Sequence, residues 1–194
     1  MINKKINIGI DLDDTIWNLL DLWLEIFRER YDIEIYPEDI TSWDIENFVP
    51  QESKQNLFDI LFEDETWDRI TLKDNCYSVL KEWVDNPKVN VYVVTATSPR
   101  IINTKVKKLF ELLPFLNEEN LIIAKHKQLV NVDILIDDNP NFFTKDANYT
   151  PILFTAPHNL NCDKKCVRCE NWGDVKHFVD KYITRCMERR NLWN

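Results

Sequence analysis

The chain has 194 residues, with 24 Lys and Arg against 33 Asp and Glu, a net charge of −9. That is the size of one domain with at most a modest insertion, and the acid excess (pI 4.9) argues against a nucleic-acid polymer as partner. Only two glycines occur, Gly9 and Gly173, which excludes both the GxGxxG dinucleotide turn and the GxxxxGKS phosphate loop.

Ile6 to Leu12 reads as a buried strand ending in acid. Ile16, Leu19, Leu20, Trp23, Leu24 and Phe27 then recur at helical spacing to about Arg30. From Tyr31 to Thr71 the pattern is helical and loopy, with Pro50 at a helix start before Leu57, Phe58, Leu61 and Phe62. Cys76, Val79, Leu80, Trp83 and Val84 mark another helix, stopped before Pro87, and Val89 to Thr95 a second strand. Ser98-Pro99 reads as a cap and first turn for a helix carrying Ile102, Val106, Leu109, Phe110 and Leu113. Leu121 to Ala124, Val132 to Ile136 and Ile152 to Phe154 follow as short apolar strands, and Val175 to Met187 as a closing amphipathic helix. Alternating strands and helices predict an α/β fold whose parallel, Rossmann-like sheet is covered on both faces. Residues 1–16 and 75–194 form the expected core, and residues 17–74 a helical insertion.

The apolar runs are strand-sized, so no membrane span is expected. Lys4 and Lys5 precede an apolar stretch, but Asp11, Asp13 and Asp14 interrupt it too early for a leader. With five cysteines, an odd number, the expected location is cytoplasmic.

Ligands of a parallel sheet bind beyond the carboxyl ends of its strands. Those ends deliver Asp11, Asp13, Asp14 and Thr15 from the first strand, Thr95 from the second, Lys125 and Lys127 after the third, and Asp137 and Asp138 from the fourth. Clustered carboxylates repel one another unless a cation lies among them, and Mg²⁺ suits a few carboxylates with a substrate phosphate. Asp11 and Asp13, two apart on an extended strand, point the same way, which suits one as nucleophile and its neighbour as proton donor. Thr95 can donate to a phosphoryl oxygen, and Lys127 can neutralise growing charge. An EF-hand fails because Ile16 stands where glycine is needed. A phosphate-accepting receiver domain fits poorly, because Lys127 precedes Asp137 and a long insertion follows the first strand.

Asp11-Leu12-Asp13-Asp14-Thr15, then Val93-Val94-Thr95-Ala96, Lys127 and Leu135-Ile136-Asp137-Asp138-Asn139-Pro140 resemble the haloacid dehalogenase superfamily of phosphohydrolases. With Ile152 to Thr155, His158-Asn159 and Asn171-Trp172, the chain is similar to its 5′(3′)-deoxyribonucleotidase, or C-type 5′-nucleotidase, family. The resemblance implies that Asp11 attacks phosphorus, forming an aspartyl-phosphate, while Asp13 protonates the leaving alkoxide and later activates water. It implies Mg²⁺ held by Asp11, the Asp13 backbone carbonyl and Asp138, with Asp137 alongside or one shell out. It also implies phosphate contacts from Thr95, the Ala96 backbone, Lys127 and, where the family often has arginine, Lys125. Ala96 departs from the usual serine. The insertion resembles the superfamily's cap, and the implied substrate is a 5′-nucleoside monophosphate, deoxyribonucleotides first. The alternatives are another small phosphomonoester such as a sugar phosphate, or a non-catalytic nucleotide sensor.

Trp43 and Trp67 fall outside clear periodicity in the insertion and are candidates for stacking on a nucleobase, whereas Trp23, Phe58 and Phe62 read as packing residues. His158, Cys162, Cys166 and Cys169 lie within twelve residues and offer soft ligands for a structural Zn²⁺, with reduced thiols or a disulfide as alternatives. Cys76 and Cys186 lie on apolar helix faces, and His126 and His177 receive no role.

Overall fold

Runs rich in Val, Ile and Leu pair edge to edge in parallel, because their branched side chains fit a pleated surface buried on both faces. In the computed structural model, which describes residues 5 to 191, these are β1 (Ile6–Ile10), β2 (Val89–Thr95), β3 (Leu121–Ile123), β4 (Ile134–Asp137), β5 (Thr150–Phe154) and β6 (Val167–Cys169). Lys4, used in the leader argument, lies outside the described residues. The strands form one sheet in the order β3-β2-β1-β4-β5-β6. The chain therefore works outward from β1 to one edge and then returns to β4 on its other side. That reversal is the topological switch point at which open α/β sheets bind ligands.

The α/β architecture follows the expected pattern, with three differences. Strand β6 was not anticipated, since Val-Arg-Cys carries no apolar run; it exists because β5 offers it a partner, Ile152 opposite Val167 and Phe154 opposite Cys169. The first strand stops at Ile10, so Asp11 and Asp13 lie on the turn that follows it rather than on extended backbone. Ser98 accepts a hydrogen bond from the Arg100 N–H at 3.3 Å, but the helix begins only at Ile102.

Period-two alternation sorts the side chains between faces. Ile6, Ile8 and Ile10, Val89, Val91 and Val93, and Ile134 and Ile136 face the larger core, with α1 (Leu19–Tyr31), α4 (Cys76–Asp85) and α6 (Trp172–Asn191). Val94 and Leu135 face the other way, into a smaller cluster with Val132 and Tyr149 supplied by irregular segments. Gly9 shares that face: a Cβ there would lie 3.2 Å from both Leu135 and Val94. Cys76 is buried in the larger core and Cys186 packs against it.

Residues 17–74 contain α1, α2 (Lys54–Leu57), α3 (Asp64–Asp68) and several 3-10 turns. Their two ends are clipped together where they leave the sheet. Trp17 and Leu72 form an antiparallel bridge, the Asn18 N–H donates to Thr71 O at 2.9 Å, and the Lys73 N–H donates to Ile16 O at 2.9 Å. The buried residues of this insertion, among them Leu24, Phe27, Leu57 and Trp67, belong to the same apolar cluster as the sheet. None of the described helices is long and apolar enough to cross a membrane.

Trp172 ties the last helix to the functional end of the sheet. Its ring is wholly buried against Trp83 and Phe154, and its Nε1–H donates to Thr15 O at 2.9 Å. Trp172→Phe, which leaves that carbonyl without its donor, is expected to lower unfolding free energy by about 1–2 kcal/mol, and Trp172→Ala by about 3–5 kcal/mol. Urea titration measures both; a Phe variant as stable as the parent would show that the hydrogen bond contributes nothing.

Candidate active site

In the β1–β4 pairing Ile10 stands beside Ile136, so the next residues, Asp11 and Asp137, emerge side by side. Lys127 lies between them: its Nζ donates to Asp11 Oδ1 and, at 2.7 Å, to Asp137 Oδ2. The ammonium also lies over the Phe142 ring, 4.8 Å from its centroid. The other Asp137 oxygen accepts the Asn139 N–H at 2.9 Å, so both its oxygens are occupied within the protein. Burial raises the pKa of Asp137 well above the usual carboxylate value, with repulsion from Asp11 adding to it. Burial raises Asp11 as well, against the opposing pull of Lys127. Lys127 would lose its proton more easily on burial alone, but the two carboxylates reverse this and hold it firmly protonated.

Asp138 is also buried, and burial with repulsion from Asp11 and Asp14 pushes its pKa well up. Its Oδ2 lies 2.7 Å from His158 Nε2, while Oδ1 is buried with no hydrogen-bond partner among the described residues. Asn159 fixes the backbone beneath it, its side-chain amide donating to both Asp138 O and Phe154 O at 2.8 Å. Asp11, Asp137 and Asp138 can each turn one carboxylate oxygen to within 4.8 Å of the others. A converging set of hard oxygen donors, one of them orphaned, fits a divalent cation of the Mg²⁺ type. Thr95 Oγ1, at the end of β2, is a second buried polar atom with no partner among the described residues. Ala96 follows it, half-buried, and Lys125 is exposed.

The turn after β1 separates three neighbouring acids. Asp14 takes left-handed backbone (φ 52°), which aspartate tolerates, and its Oδ1 accepts the Leu20 N–H at 2.8 Å, placing negative charge at the start of α1. Burial lifts its pKa to about 6 despite that bond. Asp13 instead accepts from Trp17 Nε1 at 2.9 Å and from Lys105 Nζ at 2.6 Å. Nothing in the sequence marks Lys105, because a lysine on a helix with Lys107 and Lys108 has the pattern of solvated surface.

A cavity of about 440 Å³ opens beside these groups. Asp13, Asp14 and His158 line it with Ser42, Asp44 and Glu46, and Leu19, Leu20, Trp23, Ile40, Ile45, Phe58 and Leu61 supply its apolar surface. Trp43 lines it, 49% exposed, with its ring edge-on to His158 at 4.6 Å. Phe58, expected to be packing, is 41% exposed on the same wall. Trp67 is elsewhere: 1% exposed, it stands 5.6 Å from Trp17 in the seam between α3 and α5 (Ile102–Leu112), with its Nε1–H donating to Leu61 O at 3.1 Å.

The expected zinc site does not assemble. His158 is turned to Asp138, its Nε2 2.7 Å from Asp138 Oδ2, and burial depresses its pKa. Cys169 is buried in β6, Cys166 lies at the surface bonded to Lys164 O, and all of Cys162, Cys166 and Cys169 are free thiols. Among the described residues, the metal-ligating groups converge only in Asp11, Asp137 and Asp138. The short spacing that brought these four residues together in sequence is broken by the turn at Pro157–Asn159 and by pairing of β6.

The chain is similar to known proteins over most of its length. A 5′(3′)-deoxyribonucleotidase of Clostridium acetobutylicum is 34% identical over 89% of this chain and 94% of its own. One from Bacillus subtilis is 29% identical over 89% of this chain and 97% of its own. A haloacid dehalogenase-type hydrolase from Bacillus subtilis, solved with magnesium, superposes with a TM-score of 0.55 at 13% identity, covering 91% of this chain and 99% of that one, and so shares the fold. The family model for the cytosolic type C 5′ nucleotidase, deoxy (pyrimidine), matches residues 4–185, and the chain belongs to that family of haloacid dehalogenase-fold enzymes.

Proposed function

We propose that this enzyme hydrolyses 5′-deoxyribonucleoside monophosphates, with Asp11 as nucleophile and the insertion serving as the cap that holds the base. The observation that carries the reading is the junction of two unlike environments. A buried acid cluster with one ammonium and two orphaned oxygens, Thr95 Oγ1 and Asp138 Oδ1, meets an apolar cavity faced by Trp43 and Phe58. The acid cluster suits a phosphate and a metal, and the aromatic side chains suit the flat face of a base.

Asp11, the Asp13 backbone carbonyl and Asp138 are the residues to hold Mg²⁺. Asp137, with both oxygens committed to Lys127 and the Asn139 N–H, orients the lysine instead. When bound, Mg²⁺ offsets carboxylate repulsion and polarises the phosphoryl group. Thr95 donates its hydroxyl to a phosphoryl oxygen, the Ala96 N–H contacts a second, and Lys127 balances the charge that grows there. Lys125, exposed, serves the entering phosphate at longer range. Asp11 attacks phosphorus as Asp13 gives its proton to the leaving O5′. Asp13, now a carboxylate, takes a proton from the water that cleaves the aspartyl-phosphate.

A phosphate-release assay across nucleotides and sugar phosphates tests the reading: Mg²⁺-dependent turnover should be highest for deoxyribonucleoside monophosphates. Asp11→Asn should retain the parental circular dichroism and fall below about a thousandth of its turnover. An active Asn variant would remove Asp11 from the mechanism.

Trp43→Ala should raise KM for a nucleotide about tenfold while leaving that of a small aryl phosphate nearly unchanged, the size expected for one lost base-stacking contact. Equal changes for both substrates would place the base elsewhere.

The raised carboxylates also make stability depend on pH and metal. Groups with folded pKa values above their unfolded ones stabilise fully below the ordinary value of 3.8, and that contribution is lost as pH rises through the raised values, about 6 for Asp14. Thermal unfolding in chelator should therefore shift to lower temperature as pH climbs through this range. Mg²⁺, which needs the ionised carboxylates, should restore more at about pH 7 than at about pH 5. An equal Mg²⁺ shift at the two pH values would contradict the assignment.

A further inference from the structure

Lys105, on α5, is 2% exposed, and it lies outside the lining of the cavity. Its Nζ meets Asp13 Oδ2 at 2.6 Å and lies over two indole rings, 5.3 Å from the centroid of Trp67 and 5.8 Å from that of Trp17. Trp17 holds the other Asp13 oxygen through Nε1 at 2.9 Å. Lys108 on the same helix shows the ordinary arrangement, an ammonium reaching the exposed acids Asp68 and Glu111. Burying a lysine and its partner at best breaks even against an apolar packing residue, so stability gives no reason for Lys105 to be where it is. Its effect is on Asp13, whose side chain is still partly exposed and faces the cavity.

We propose that Lys105 is a positioning residue for proton transfer: with Trp17 it fixes the Asp13 carboxyl toward the leaving oxygen, and Trp67 walls the ammonium in place. This rests on the acid–base role given above to Asp13. In the step concerned the bond from phosphorus to the leaving oxygen breaks, its electron pair stays on that oxygen, and the Asp13 proton moves to it. The role also accounts for the burial of Trp67, the cap aromatic that does not reach the cavity: it touches the chemistry through Lys105.

The test is a series of substituted phenyl phosphates, alike in shape but graded in leaving-group strength. A misplaced acid harms only those leaving groups that need protonation. Asp13→Asn sets the scale, with kcat/KM, which reports the steps up to release of the phenol, falling far more for phenyl phosphate than for 4-nitrophenyl phosphate. Lys105→Met should steepen the dependence in the same sense, with phenyl phosphate slowed about tenfold or more and 4-nitrophenyl phosphate within about threefold, part of the range general acids supply. Lys105→Arg should restore most of the loss. Trp17→Phe, which removes only the second anchor, should steepen it independently of whether Lys105→Met folds. Uniform losses across the series in both Lys105→Met and Trp17→Phe, beside a steep Asp13→Asn, would overturn the positioning role and leave Asp13 as the acid. A flat Asp13→Asn series would overturn the acid assignment and this inference with it.

Discussion

Lys127 Nζ lies between the carboxylates that end the two central strands, and the rest of the site depends on the charge it balances there. Five carboxylates (Asp11, Asp13, Asp14, Asp137 and Asp138) crowd one sheet edge against the ammonium groups of Lys127 and Lys105. Removing carboxylates from water is costly, and each that faces another costs more. What brings them together is hydrophobic: Ile8 beside Ile134 and Ile10 beside Ile136 fix the register from which Asp11 and Asp137 project. A slip of one residue would turn every isoleucine off its core face, so the apolar pattern locks the position of the charges. Burial of the strands thus imposes an electrostatic load, met in part by the two ammonium groups and of a kind that a divalent cation would offset.

The two halves of the site come from different parts of the chain. The carboxyl end of the sheet supplies the buried acids, Thr95 and Lys127. The insertion supplies an apolar wall, with Trp43 and Phe58 partly exposed on it. His158 lies where they meet, bonded to Asp138 on one side and against the Trp43 ring on the other.

The strand-end acids were legible because two strong local signals coincide, an apolar run and an abrupt run of acid after it. Asp11, Asp137 and Asp138 follow from that coincidence, Thr95 from its place at a strand end, and Lys127 from the family resemblance. What was not legible depends on contacts distant in sequence. Lys105 meets Asp13 across 92 positions, and nothing near it on α5 marks it as buried. His158 was grouped with cysteines a few residues away, whereas its partner stands 20 positions back. Trp43 and Trp67 looked equivalent in sequence; packing of α3 on α5 buried one and left the other at the cavity mouth. Strand β6 escaped because an edge strand borrows its hydrogen bonds from its neighbour and needs little apolar pattern of its own.

The clipped ends of the insertion carry a further meaning. With Trp17 bridged to Leu72 and Asn18 to Thr71, the sheet meets a long excursion as if it were a tight hairpin. The entropic cost of closing a loop grows only slowly with its length, and here closure is already secured at the neck. Material can therefore be added to or removed from the outer turns without disturbing the strand ends, provided that the inward-facing Leu24, Phe27 and Leu57 stay in the shared core. The outer turns and the strand ends are in this way mechanically separable: one can be remodelled while the other stays unchanged.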